Sequence, residues 1–315
     1  MAAHQEPKGQ WIDELVKILT AAKIIFAMFL WASCYPLITI GIAYAPHLSF
    51  ATLRAVIAGV TLLAIALALR RPFPRSWKTW ITLAAIGFGA TSLGYFGMFH
   101  AAEFVSPGIA TVITNTQPLM AAALAGVVLG ERLTAWGKSG LVLGFLGIVV
   151  IAAPRLFGGG QESYLIGITY IILAALGITI SNVMLKRIAD TVDPLMAISV
   201  QLLIGSIPLA MIAVLTEDFT VIEWSPGFLF ALVGLAVFGS ALVYVIWMSV
   251  LAEVPLSKAN AFSFLVPIFG LTMGLLYYGE SLGWPELIGT SLSLAGVMMV
   301  IRKGIAPPTL FGVSA

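Results

Sequence analysis

Along most of the chain, apolar residues run in long blocks broken by short polar connections. A block of roughly 20 apolar residues is the length of helix needed to cross the hydrocarbon of a bilayer. Ten such blocks occur, at about 23–43, 48–69, 78–99, 106–128, 134–153, 164–185, 195–216, 226–248, 256–278 and 284–301. The connections are too short for a separate soluble domain. Ahead of the first block the pattern changes. Ile12, Leu15, Val16 and Leu19 share one helical face, and Asp13, Glu14 and Lys17 the other. This segment predicts either a helix lying on the membrane surface, with Trp11 at headgroup level, or a solvated extension of the first span. The pattern as a whole predicts an all-α integral membrane protein of ten transmembrane helices.

One part of the pattern occurs twice. The stretch from Tyr95 to Ile151 returns from Tyr244 to Val300 at a constant offset of 149 residues. Pro118/Pro267, Gly130/Gly279, Glu131/Glu280, Gly140/Gly289 and Gly147/Gly296 are matched pairs. A mid-span proline followed by Gly-Glu and spaced glycines is more specific than shared Ala and Leu, and it marks an internal duplication. Each copy holds five spans, an odd number, so the second copy is inverted in the membrane, the ground plan of many secondary transporters. The expected organisation is an N-terminal segment 1–22, a first five-helix repeat 23–153, a loop 154–163, an inverted second repeat 164–301 and a tail 302–315. Function is expected between the copies, near mid-membrane.

Composition agrees with this. The chain is 60% apolar and 10% charged, with a mean hydropathy of +1.04; soluble domains carry about 25% charged residues. With the N-terminus inside, the cytoplasmic segments hold Lys8, Lys17, Lys23, Arg70, Arg71, Arg75, Lys78, Arg132, Lys138, Lys186, Arg187, Lys258, Arg302 and Lys303, and the outside only Arg155. Basic residues mark the cytoplasmic side, so both termini are expected in the cytoplasm and the protein in the cell (inner) membrane. The first residues lack the basic–apolar–small pattern of a cleaved leader. The lone Cys34 has no internal disulfide partner.

Polar and aromatic residues within the blocks are the candidate chemistry. Asn115 and Gln117, just before Pro118, lie near mid-membrane, and Asn182 lies in the sixth span. Such side chains are costly in hydrocarbon unless partnered, so they face other helices or a water-filled cavity. Pro118 and Pro267 each remove a backbone donor, giving either a packing kink or an opened turn that lines a cavity. Trp31, Tyr35, Tyr95, Phe264 and Tyr244 are candidate cavity residues, although aromatics also anchor spans at the interface, the role expected of Trp247. The repeat pairs Tyr95 with Tyr244, one toward each side of the membrane, which makes them candidate gates. Arg54 lies roughly 10 Å deep in the second span at about 1.5 Å per residue. It is expected either to hold carbonyl groups of a neighbouring helix end or to meet a substrate carboxylate. Glu131 and Glu280 are expected to cap the helix that follows each. Gly140, Gly144 and Gly147, echoed by Gly289, Ser293 and Gly296, form small-xxx-small faces for close contact within the chain or for self-association.

No Asp or Glu lies deep within any block. Ion-coupled carriers usually keep a carboxylate in the pathway, so obligatory proton or sodium coupling is not expected, and His47 and His100 are too peripheral to replace it. His4, His47 and His100 are far apart in sequence, and nothing in the spans supplies the constellation an intramembrane enzyme needs. No cofactor, metal or nucleic-acid partner is expected, only lipid and a small-molecule substrate. A membrane receptor or assembly factor is the alternative from another class.

The tandem five-helix pattern, the Pro-x11-Gly-Glu runs ending at Glu131 and Glu280, Trp31, Arg54 and the Asn182…Lys186…Asp193-Pro194…Gln201 run resemble the EamA-type ten-helix branch of the drug/metabolite transporter superfamily. The resemblance covers about residues 23–301. It implies ten helices around a central cavity lined by the first, third, fourth, sixth, eighth and ninth. It also implies transport of small metabolites, as in YddG-type exporters of aromatic and other neutral amino acids; drugs and nucleotide sugars are carried by other members.

Overall fold

The computed structural model describes residues 7–117, 119–120, 123–124, 134–157, 162–253 and 261–303. Pro118, Glu131 and the loop around Gly158–Gly160 therefore lie outside the described residues. The remainder is helical, with no strand among the described residues.

The helices fall into the ten expected spans. The first is Pro7–Ala32 followed directly by Cys34–Gly41, and the second is His47–Ala68. The third runs through Trp77–Gly87, a π-helical stretch Phe88–Leu93 and Gly94–Ala101. The fourth opens with Pro107–Thr114, and Ala135–Phe157, Glu162–Arg187 and Pro194–Thr216 are the fifth to seventh. The eighth is Pro226–Val233, a π-helical stretch Gly234–Leu242 and Val243–Glu253. The ninth begins with a 3₁₀ turn, Ala261–Phe264, and continues as Leu265–Tyr278; Trp284–Lys303 is the tenth. Of the two forms expected for the N-terminal segment, the extension is the one present: helix runs unbroken from Pro7 into the first span. That helix is interrupted only at Ser33, because Pro36 offers no N–H to the Ala32 carbonyl.

Side chains sort as a membrane requires. Leu215, Tyr277, Trp284 and Trp77 point outward, where lipid and headgroups replace water as solvent. Inside, small residues bring backbones together. A Cβ on Gly147 would lie 2.5 Å from the Gly289 carbonyl oxygen, and one on Gly296 would lie 2.5 Å from the Gly140 carbonyl oxygen. Ser293 Oγ donates to the Gly144 carbonyl at 3.2 Å, between residues exactly one repeat offset of 149 apart. The fifth and tenth spans thus cross antiparallel, and contact 147–289 exchanges with 296–140 under the repeat. An exchange of equivalents between antiparallel helices is the signature of a two-fold axis in the membrane plane. The second and seventh spans, and the fourth and ninth, are also equivalent pairs in contact. The small-residue faces therefore meet each other within one chain, the first of the two uses the sequence allowed.

The Gly-Glu motif has a second use. Gly279 adopts φ +61°, a left-handed conformation that glycine adopts freely. It ends the ninth span and turns the chain so that Glu280 accepts a hydrogen bond from Gly108 N at 2.8 Å. Glu280 caps the start of the fourth span, not the helix that follows it as expected. Glu217 likewise accepts from Leu48 N and Ser49 N at 2.9 and 2.7 Å, satisfying the start of the second span. The carboxylates at this end serve helix N-termini, where free amides and the helix dipole favour negative charge.

Candidate functional site

The π-helical stretches are the feature that sequence periodicity could not reveal. Phe88–Leu93 and Gly234–Leu242 nearly coincide when shifted by the repeat offset, and Tyr95 and Tyr244 follow each by two residues. Wide turns re-aim the helix beyond them and occur at functional positions. In the third span the widened turn is braced from two sides. Thr91 Oγ1 donates to Gln201 Oε1 at 2.9 Å, Ser92 Oγ to the Gly205 carbonyl at 2.7 Å, and Ser181 Oγ to the Ile86 carbonyl at 3.0 Å. Gln201 is thus a buried structural partner.

In the eighth span the widened turn presents Ser240 to Arg54. Arg54 is 4% exposed, on a helix face shared with the fully buried Ala51, Ala55 and Ala58. Its Nε and Nη2 each lie 3.3 Å from Ser240 Oγ, and Nη2 lies 3.7 Å from Cys34 Sγ. The guanidinium carbon sits 4.3 Å from the centre of the Tyr95 ring and 5.7 Å from that of Phe99. Tyr244 lies one turn beyond Ser240. Among the described residues Arg54 donates to no carbonyl. Nη1 is buried with no hydrogen-bond partner, and none of the ion pairs formed by described residues involves Arg54.

On the side of Arg54 toward His47, aromatic rings fill the space. Phe99 packs edge-on against Phe50 at 5.1 Å, Phe50 meets Phe228 at 5.2 Å, and Tyr95 lies 6.1 Å from Phe99. Phe50, Phe99 and Phe228 have no solvent exposure. Tyr35 OH and Thr114 Oγ1 are 2.7 Å apart. Asn115 then ends the first helical piece of the fourth span, with its Nδ2 buried and unpartnered, and Gln117 is half-buried. The 3₁₀ turn Ala261–Phe264 repeats this break in the ninth span, and Ser263, the repeat equivalent of Thr114, also has a buried hydroxyl without a partner. The Phe264 side chain lies outside the described residues.

Trp31 and Trp247 meet edge-to-face at 5.1 Å, both half-buried. Trp247 thus packs on Trp31 while both rings stay partly exposed. Asn182 is not brought to Arg54. It is exposed, yet it continues the helix face that buries Ile171 and Ala175, so that face opens toward the basic end of the molecule. A separate cleft of about 750 Å³ lies at that end, between Pro72–Thr82 and Ile188–Pro194, and none of the candidate residues lines it. Also at the basic end, Lys23 Nζ and Glu253 Oε1 pair at 2.6 Å. Hydrogen bonds from Lys23 and Thr20 hold the Glu253 carboxyl below the usual carboxylate range.

Two histidines read as peripheral and unrelated in the sequence are neighbours. His100 Nδ1 is 2.8 Å from His47 Nε2, and His47 Nδ1 faces Glu103 Oε1 at 2.7 Å and Glu217 Oε1 at 3.5 Å. The sequence separates the two histidines by 53 residues and offers no local signal of the pairing. Ser240 and Cys34 were equally unmarked; the clue available was that a buried arginine needs small polar residues on neighbouring spans.

A family model described as the EamA-like transporter family matches residues 18–153 and again 165–302. Among curated proteins, the chain is similar to one from Bacillus subtilis (strain 168) named "Uncharacterized transporter YvbV", at 26% identity over 94% of this chain and 95% of that one. It is 27% identical to the "Probable amino-acid metabolite efflux pump" of Salmonella typhimurium, over 87% of this chain and 91% of that one. It is likewise 27% identical to the "Uncharacterized inner membrane transporter YedA" of Escherichia coli (strain K12), over 88% and 89%. A solved structure superposes with a TM-score of 0.62 at 20% identity, covering 89% of this chain and 96% of its own, a likeness of fold alone.

Proposed function

Because the chain belongs to the EamA-like transporter family, and is a membrane transporter and not an enzyme, we propose that it moves a small carboxylate-bearing metabolite by alternating access. The foremost cargo is an amino acid with an apolar or aromatic side chain. Arg54 carries this reading. A guanidinium taken out of water costs several kcal/mol unless charge and hydrogen bonds compensate. Arg54 has a hydroxyl, a thiol and an aromatic face but, among the described residues, no carboxylate, and Nη1 has no partner. A substrate carboxylate brings both the missing acceptor and the missing charge, and the planar guanidinium fork suits it.

Asn115 Nδ2 and the Ser263 hydroxyl are further polar groups without partners, on the two spans whose helices break. Trp31, Tyr35, Tyr95 and Tyr244 supply an apolar wall for the side chain. The printed name of the Salmonella relative supports the same cargo class. The basic end faces the cytoplasm, with both termini there, by the distribution of Lys and Arg. The aromatic packing on the His47 side and the exposed Asn182 on the other support a state closed to the outside and open to the cytoplasm. Cargo then leaves the cell down its gradient.

The test is counterflow in liposomes holding the purified full chain. Free amino acids are compared with their methyl esters and with the corresponding amines. Esters and amines are expected to move at least about tenfold more slowly, and Arg54→Met to lose a similar factor, because hydrogen bonds to charged groups contribute about 1.5–3 kcal/mol. Equal transport of acids and esters, or full activity in a folded Arg54→Met variant, would sink the carboxylate reading. Movement of drugs or nucleotide sugars in place of amino acids would assign another cargo class.

A further inference from the structure

The cluster at the end opposite the basic face has a chemistry that carboxylate transport does not use. We propose that His47, Glu103 and Glu217 form a site for a divalent transition-metal ion, with His100 as a positioning residue, and that the ion clamps this end of the molecule shut.

The ligand set comes from three separate elements: the start of the second span, the turn after the third and the end of the seventh. His47 Nδ1 faces Glu103 Oε1 at 2.7 Å and Glu217 Oε1 at 3.5 Å. Tetrahedral zinc, bound to nitrogen and oxygen at about 2.0–2.2 Å, sets ligand atoms about 3.3 Å apart. The two spacings measured from His47 Nδ1 bracket that value. The other ring nitrogen is already engaged: His47 Nε2 lies 2.8 Å from His100 Nδ1. With Nδ1 on the metal, Nε2 carries the proton and donates to His100, the outer-shell contact that fixes a ligating imidazole. His100 is itself held, stacked on Phe96 with its ring centre 5.7 Å away and edge-on to Tyr170 at 4.3 Å. Ligand-capable atoms of His47, His100 and Glu103 all fall within 4.8 Å of one another.

Charge favours a cation here. Two carboxylates face one imidazole, and the other charged side chains described at this end are Asp218, Glu223, Glu280 and Glu286, with no Lys or Arg among them; the Arg155 side chain lies outside the described residues. A divalent ion neutralises both ligating carboxylates, whereas an imidazolium neutralises one. Glu217 keeps its hydrogen bonds from Leu48 N, Ser49 N and Ser49 Oγ, since each carboxylate oxygen has a further lone pair. The Glu103 side chain is 39% exposed, which leaves a path from solution and room for water as the remaining ligand. Binding ties the second, third and seventh spans together beside the Phe50–Phe99–Phe228 packing. Occupancy therefore favours the state closed at this end.

The experiment is calorimetric titration of zinc chloride into the purified, tag-free full chain, with thermal unfolding alongside. One zinc per chain and a higher melting temperature are expected. His47→Gln and Glu103→Gln should remove this binding. His100→Ala should weaken it about 10–100-fold, as loss of an outer-shell partner does, while His100→Gln, which keeps an acceptor, stays within a few-fold of the parent. His4→Ala controls for the N-terminal histidine. In liposomes, zinc on the His47 side should slow transport by the parent and leave His47→Gln unaffected. Zinc binding unchanged in the His47 and Glu103 variants would overturn the proposal. So would the absence of zinc binding by a folded parent, and a melting temperature that follows pH but not zinc would then identify an imidazolium clamp instead. The titration does not depend on which cargo is carried, so its failure is separable from failure of the carboxylate reading.

Discussion

Arg54 is held loosely for a buried cation. Its two contacts to Ser240 Oγ are both 3.3 Å and its third is to a thiol, all longer than charge-assisted hydrogen bonds of about 2.7–2.9 Å. Such a guanidinium is free to turn toward an arriving carboxylate. Ser240→Ala should remove the contact that fixes its resting position and leave Nε unpaired as well. The expected outcome is a loss of about 1–3 kcal/mol of stability, read by thermal unfolding, and a several-fold change in KM for carboxylate cargo. Cargo lacking the carboxylate should be affected only through stability. At this scale the sequence was partly legible. Arg54 stood out because a charge within an apolar block demands a partner, and Asn115, Tyr35 and Tyr95 stood out as polar or repeated. The partners did not, because Cys34 and Ser240 are small residues of the kind that fill apolar helices without chemistry, and they meet Arg54 only through three-dimensional packing. The Trp31–Trp247 contact was illegible for the same reason, since the two rings meet only through packing of the first and eighth spans.

Among the elements, periodicity and length placed every span, and the glycine spacing found the crossing of the fifth and tenth. It did not say what the glycines would meet. The answer is each other's helices, so Gly147→Leu should act on folding and not on assembly. A Cβ there already meets the Gly289 carbonyl oxygen at 2.5 Å, and overpacking costs roughly 1–3 kcal/mol. A lower melting temperature with unchanged mass by light scattering is expected; a change in oligomeric state would restore the self-association reading. The Gly-Glu motif was legible as a turn but not as a long-range cap, since its acceptor role depends on the start of another span. Glu280→Ala should cost about 1–2 kcal/mol, the scale of a lost helix cap, and protease cleavage near Gly108 should rise with it. Cleavage unchanged from the parent would separate Glu280 from the start of the fourth span. The π-helical stretches were illegible for a plain reason: one extra residue in a turn leaves an apolar block apolar.

In the whole molecule the inverted repeat places equivalent parts around one cation. Tyr95 lies against the guanidinium with Phe99 behind it, and its equivalent Tyr244 lies one turn beyond Ser240. A carrier built this way needs two closures that exchange, and we propose that the repeat supplies them as one pair of side chains used in opposite directions. Tyr95 is proposed to close the His47 side, and Tyr244 the basic side in the alternate state. Tyr95→Ala should then favour opening on the His47 side, and Tyr244→Ala the reverse. Labelling of a cysteine placed at Thr114 by an impermeant reagent, in a Cys34→Ser background with its own activity control, should rise from the His47 side in the first variant and fall in the second. Equal labelling in both would remove the tyrosines as gates. We propose that energy for the exchange comes from the cargo itself, through binding of its carboxylate to Arg54, since the spans offer no deep carboxylate to carry a coupling ion. Accumulation should therefore stop at equilibrium in liposomes with an imposed pH or sodium gradient. Accumulation beyond it would mean that a titrating group elsewhere drives the cycle, and the paired histidines His47 and His100 would be the first residues to replace.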